Sequence, residues 1–196
     1  MRVLLIRPGS TEYDRQGRIQ GNLDIPLCDE GRTQVGQLLA SIDTQGLVAI
    51  YCGSGQAAKQ TAAMLAEQVD LKVKQLDSLA NLDHGLWQGM LIDDVRTKQP
   101  KVYRKWHDEP QTVCPPQGET VTAARKRVQD TLAKIARKHK TGTVAVVVAN
   151  PLSCIVRHVL TGTALCDMWN PGNQVASAEI IETMATTTSG PASAGG

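Results

Sequence analysis

The stretch Val3-Leu4-Leu5-Ile6-Arg7-Pro8-Gly9-Ser10-Thr11-Glu12-Tyr13-Asp14 decides the fold, continued by Gly17-Arg18-Ile19-Gln20-Gly21 and Asp24-Ile25-Pro26-Leu27. Residues 2–6 form an apolar run, as a strand buried on both faces of a parallel sheet requires. The glycine-rich polar run that follows has no helical period and reads as a loop. Strand, then loop, then helix is how open α/β sheets place sites at the carboxyl ends of their strands.

The same alternation continues outward from this stretch. Cys28-Asp29-Glu30-Gly31 opens a helix with Val35, Leu38, Leu39 and Ile42 at helical spacing, and its acidic first turn suits the helix dipole. Val48 to Cys52 reads as a second strand, and Gly53-Ser54-Gly55 as a turn in which Ser54 is placed to cap the next helix. That helix carries Ala58, Ala62, Leu65 and Val69 on one face, and Lys72 to Leu76 is a short third strand. Residues from about 89 to 114 read as short polar helices around Trp106, an insertion beside the pocket. A long basic amphipathic helix then runs through His139 with Val128, Leu132 and Ile135 facing inward. Val144 to Ala149 is the expected central strand, and Pro151 suits the first position of a helix that runs to Gly162. Gln174 to Thr183 reads as a last strand at an edge. The expected class is α/β, a three-layer α/β/α arrangement with a mostly parallel central sheet and helices on both faces. One domain over 1–183 is expected, followed by a low-complexity disordered tail over 184–196.

Composition narrows the class. The chain of 196 residues is 41% apolar and 20% charged, an ordinary globular balance for one domain with a sizeable core. Phe is absent, so aliphatic side chains must fill that core. A net charge of +2 is far from a nucleic-acid-binding balance, and no apolar run is long enough to span a membrane. The first strand begins at the N-terminus without a signal-peptide pattern, and five cysteines without paired spacing suggest free thiols, so a reducing cytoplasm is expected. No Cys or His pairing has the spacing of a metal site, so no metal or other cofactor is expected.

The opening stretch resembles the signature of the histidine phosphatase superfamily, the phosphoglycerate-mutase-like proteins. That signature reads Leu-Ile-Arg-His-Gly-Glu-Thr, then Asn, then Gly-Arg-x-Gln-Gly and Asp-x-Pro-Leu. Leu79 to Gly89 is similar to the family's Leu-x-Glu-x-x-x-Gly-x-Trp-Glu-Gly, and Pro115-Pro116-Gln117-Gly118-Glu119-Thr120 to its Pro-Pro-Gly-Gly-Glu-Ser. The resemblance spans about residues 2 to 183 and implies phosphoryl transfer to a histidine, then to water or a second hydroxyl. An imidazole supplies the lone pair near neutral pH, fixed positive charge holds the phosphoryl oxygens, and a carboxylic acid protonates the leaving oxygen.

Carried over residue by residue, the resemblance implies a degenerate pocket. The first arginine is Arg7, but the nucleophile position is Pro8, which has neither a lone pair to offer nor a backbone N–H. The phosphate-holding asparagine becomes Asp14, a carboxylate expected to repel phosphate. The second arginine becomes Ala57, the acid Asn81, the second histidine Asn150 and the glycine after it Pro151. Charge-assisted contacts are worth roughly 1.5–3 kcal/mol each, so losing several argues against phosphate affinity.

None of the four histidines falls on an aligned catalytic position. His84 is the nearest candidate for a displaced base, although filling an apolar or aromatic site is the favoured reading. Cys154, on the first turn of its helix, is read as a small buried hydrophobe rather than an activated thiol. Asp14 as a substitute nucleophile lacks an acidic neighbour to share a metal. The basic run Arg125-Lys126-Arg127 is read as a solvated helix face, and Trp87 and Trp106 as packing residues. Two functions remain. The first expectation is a catalytically inactive domain that binds a protein or small-molecule ligand, with no nucleic-acid or membrane partner. The second is a phosphomonoester phosphatase or mutase-like enzyme with relocated catalytic residues.

Overall fold

The computed structural model describes residues 1–165 and 176–182. Strands β1 (Arg2–Arg7), β2 (Leu47–Cys52), β3 (Val73–Gln75), β4 (Thr143–Val147) and β5 (Ser177–Glu182) form one sheet in the order β3-β2-β4-β1-β5. The first four are parallel neighbours, and β5 closes the β1 edge antiparallel, with Arg7 opposite Ser177 and Leu5 opposite Glu179. The helices are α1 (Glu12–Arg15), α2 (Asp29–Ser41), α3 (Gln56–Val69), α4 (Ile92–Lys98), α5 (Pro100–Asp108), α6 (Val121–Lys138) and α7 (Leu152–Thr161).

Strand alternation divides the core in two, because successive side chains leave opposite faces of the sheet. Val3, Leu5, Tyr51, Val144 and Val146 pack against Val128, Leu132 and Ile135 of α6 and Ile155 of α7. Leu4, Ile6, Ile50, Ala145 and Val147 pack against Val35 and Leu39 of α2 and Ala58, Ala62 and Leu65 of α3. The three-layer α/β/α arrangement is therefore as expected. β4 is the central strand, fully buried along its length, which is why it reads as one continuous apolar run.

Local differences have physical causes. Ser54 does not cap α3: Gly55 takes the cap position and no side chain bonds there. Cys28 caps α2 instead, its Sγ accepting from the Gly31 N–H at 3.4 Å. The insertion is helical as expected, and Ile19, Trp87, Val95 and Trp106 form its own small core. The last strand is described from Ser177 to Glu182; the expected tail lies outside the described residues. Among the described residues, no helix is long and apolar enough to cross a membrane.

Candidate active site

The loop after β1 lies back to back with the start of α2. A Cβ on Gly9 would stand 2.1 Å from the Gly31 oxygen, and one on Gly31 would stand 2.0 Å from the Ser10 oxygen. Only glycine at both positions lets the backbones approach this closely. Cys28 N–H donates to Ser10 O at 3.0 Å and Gln34 Oε1 accepts from Ser10 N–H at 3.0 Å, so the turn carrying Pro8 is held from both sides. Pro8 is buried in this turn.

Thr11 caps α1, and its N–H and Oγ1 both donate to Asp14 Oδ2 at 2.7 Å. Burial pushes the Asp14 carboxyl above its usual range, against the opposing pull of the Thr11 donors and the Arg7 charge. Desolvation thus makes the charged form of Asp14 harder to hold than an ordinary exposed carboxylate. Arg7 is half-buried; desolvation lowers its pKa and nearby Asp14 raises it. Among the described residues, the Arg7 guanidinium has no hydrogen bond or ion pair. It opens onto a cavity of about 350 Å³ that Asn150, Ser153, Arg157, Ser177 and Glu179 also line.

The aligned cleft is different. Asn81 Nδ2 donates to Gly21 O at 2.9 Å and to Asn150 O at 2.6 Å, while Asn81 Oδ1 accepts from Leu152 N–H at 3.2 Å. These three bonds draw the Gly21 loop, the Asn81 loop and the start of α7 together. The space left beside Gly21, Gly53, Ala57 and Asn81 is about 20 Å³, room for about one water and too little for a phosphate. Ala57 is buried in the first turn of α3, its N–H bonded to Ile25 O at 3.2 Å. Asn150 Oδ1 accepts from Ser153 Oγ at 2.5 Å, and Pro151 is the residue before α7. The structure thus brings Asn81, Asn150 and Pro151 together across the cleft, puts Ala57 in its wall, and turns Arg7 to the cavity on the other side of Asn150.

Arg127 supports this arrangement from beneath. It pairs in a fork with Glu119, Nε to Oε1 at 2.7 Å and Nη2 to Oε2 at 2.8 Å. It also donates to Ser78 O at 2.8 Å and Asn81 O at 3.3 Å. The reading of Arg127 as part of a solvated face is therefore corrected: it turns inward because two carbonyls and a carboxylate need its planar set of donors. His84 fills a packing role as expected, 0% exposed and edge-on to Trp106 with centroids 5.7 Å apart; burial pulls its pKa down to about 4. Cys28, Cys52 and Cys114 are free, but Cys154 is disulfide-bonded, which corrects the expectation of five free thiols. Among the described residues, no group of three or more His, Cys, Asp or Glu is placed to hold a metal ion.

Sequence reasoning missed Arg157, Ser153 and Glu179. The available signals were the four-residue spacing of Ser153 and Arg157 on one helix, and the alternation of Ser177 with Glu179 on a strand. Neither shows that the two elements share a cavity with Arg7.

The family model of the histidine phosphatase superfamily (branch 1) matches residues 3–189. The chain is 31% identical over 181 residues to phosphoserine phosphatase 1 of Hydrogenobacter thermophilus, covering 92% of this chain and 86% of that protein. It is 29% identical over 148 residues to the metal-independent phosphoserine phosphatase of Arabidopsis thaliana, covering 74% of this chain and 62% of that one. The solved structure of YhfR from Bacillus stearothermophilus superposes with a TM-score of 0.82 at 25% identity, covering 92% of this chain and 90% of that one. These relatives overturn the expectation of a catalytically inactive binding domain, because the two sequence relatives, one of them matched over 92% of this chain, are phosphatases by name.

Proposed function

Because the chain belongs to the histidine phosphatase superfamily, we propose that it is a phosphomonoester phosphatase or mutase-like enzyme whose catalytic groups have moved around a retained arginine. The observation that supports this reading best is Arg7, unpaired among the described residues and opening onto a cavity of about 350 Å³. A partly desolvated guanidinium with no hydrogen-bond partner among the described residues favours a phosphate dianion. The substrate's phosphoryl group binds Arg7 on that side, away from the space that Asn81 fills.

Pro8 offers no nucleophile, so water attacks phosphorus directly. The water oxygen forms a new P–O bond as the ester P–O bond breaks. Asp14, close enough to Arg7 to feel its charge and with its pKa raised by burial, is assigned to give a proton to the leaving oxygen and to take back the proton that the water loses. The role of the family's acid thus passes from Asn81 to Asp14. The partner is then a small phosphomonoester rather than a protein, a nucleic acid or a membrane.

The test is phosphate release from p-nitrophenyl phosphate and a panel of biological phosphomonoesters. Wild-type turnover is expected, and Arg7→Ala should lower kcat/KM about a hundredfold or more, the usual cost of losing one electrostatic stabiliser. Acid-labile phosphohistidine should not accumulate. Purified wild type without turnover, or activity unaffected by Arg7→Ala, refutes the proposal.

A further inference from the structure

Two arginines of this chain use their guanidinium groups in opposite ways. Arg127, which serves the fold, engages Glu119, Ser78 O and Asn81 O through Nε, Nη1 and Nη2 together. Arg157 meets Glu179 Oε2 through Nε alone, at 3.2 Å, with the two side chains 43% and 42% exposed. Among the described residues, its Nη1 and Nη2 have no hydrogen-bond partner. A half-exposed pair held by one contact contributes little stability. Arg157 and Arg7 line one cavity of about 350 Å³, together with Ser153 and Glu179. Ser153 and Arg157 lie four residues apart on one face of α7. The antiparallel register sets Arg7 opposite Ser177 and Leu5 opposite Glu179, so Arg7 and Glu179 are diagonal neighbours on one sheet face. Glu179 thus brings the Arg157 guanidinium to the strand edge beside Arg7.

From this contrast we infer that Arg157 is a second phosphoryl-binding arginine, and that Glu179 is a positioning residue that holds it until a phosphate binds. This rests on the phosphomonoester reading above and adds residues to it; Arg157 lies outside the motif stretches that carry the family resemblance. The phosphoryl dianion lodges between Arg7 and Arg157. Its oxygens take the Nη donors that no described residue uses, and the planar fork of a guanidinium suits two oxygens at once. Two fixed cations then share the charge of one dianion. Glu179 has an opposing part. Its carboxylate keeps Arg157 over the cavity rather than in solvent, while its own charge repels the dianion. An anion has to draw Arg157 away from Glu179, which holds affinity below that of two free arginines.

The probe is inorganic phosphate, with binding to the intact chain read by calorimetry and turnover of p-nitrophenyl phosphate read alongside. Arg157→Gln should weaken phosphate about tenfold or more. Arg157→Lys keeps the charge and loses the fork, so it should weaken phosphate severalfold, and it carries the test should the glutamine variant not fold. Glu179→Gln removes the competing carboxylate and should strengthen phosphate severalfold. An ion pair that serves only the fold predicts losses in both Arg157→Gln and Glu179→Gln; effects of opposite sign mark a ligand site. Losses in the same direction, or phosphate affinity unchanged in Arg157→Gln, overturn the proposal. Wild-type turnover that Arg7→Ala lowers and Arg157→Gln leaves unchanged overturns the role of Arg157 and keeps the hydrolysis. No wild-type turnover, with phosphate weakened by Arg157→Gln and strengthened by Glu179→Gln, refutes the hydrolysis and leaves the second arginine standing.

Discussion

Acidification should weaken the folded state through His84. This imidazole is 0% exposed beneath the Trp106 ring, and burial pulls its pKa from the usual 6.5 to about 4. The Leu82 backbone and the Asp83 charge act in the opposite direction without overcoming burial. Its folded pKa lies below its unfolded one, so the unfolded chain takes up a proton first as pH falls. The contribution is intact above about pH 6.5 and is lost progressively as pH drops towards 4. From 6.5 to about 4 the full loss is about 3 kcal/mol, most of which falls between pH 7.5 and pH 4.5. Asp14 changes stability in the other direction over this range, and His139, with its lowered pKa, adds to the loss. Both are shared with a His84→Leu variant, so the difference between the two proteins isolates His84. Urea unfolding of both at pH 7.5, 6.0, 5.0 and 4.5 should show the wild type losing roughly 2–3 kcal/mol more than the variant. Parallel pH profiles would refute the buried neutral imidazole.

Two further outcomes follow from the site. Asp14→Asn keeps an acceptor for the two Thr11 donors but has no acid proton; kcat should fall about a hundredfold, and the decline of wild-type kcat as pH rises through the Asp14 pKa should vanish. A raised carboxyl pKa makes the contribution of Asp14 to stability largest in acid and removes it as pH rises, so Asp14→Asn should gain stability relative to wild type from pH 3 to pH 7, read by thermal melts. Asn81→Ala removes hydrogen bonds to Gly21 O, Asn150 O and Leu152 N–H, and should cost about 2–3 kcal/mol in urea unfolding; a loss below about 0.5 kcal/mol would show that the clamp is not structural.

What the sequence reveals here is what local periodicity and burial control. β4 is buried on both faces, so Val144 to Val147 had to be apolar without alternation, and the strand is visible in the letters. Arg127 was not visible. Its neighbours are charged and the helical period leaves it on the margin of the basic face, while the groups that draw it inward come from Glu119, Ser78 and Asn81. The Arg7 cavity was hidden for the same reason. Its charges come from β1, α7 and β5, and only the antiparallel register of the edge strand puts Glu179 beside Arg7. The motif positions were legible as identities, but their consequences depended on space. Ala57 reads as a lost charge, yet in the fold it is also a lost volume that lets the neighbouring loops close.

The same logic explains why the acid and the cleft disappear together. A carboxylate at position 81 has acceptors only, and it would face the Gly21 and Asn150 carbonyl oxygens that now receive the Asn81 amide. Repulsion from both would keep those loops apart and leave room between them. An asparagine carries the donors those carbonyls need and the acceptor Leu152 N–H needs, so one amide replaces a chemical group with a clamp. Arg127 and Glu119 stay in place because they hold the backbone of that loop, whichever side chain it bears. Closing this side leaves the other side of Asn150 as the way to Arg7. Beside Arg7 there, Asn150, Ser153 and the Arg157–Glu179 pair line the same cavity. The strand end fixes the arginine, and under the proposed function the chemistry would be rebuilt around that fixed charge from the elements flanking β1.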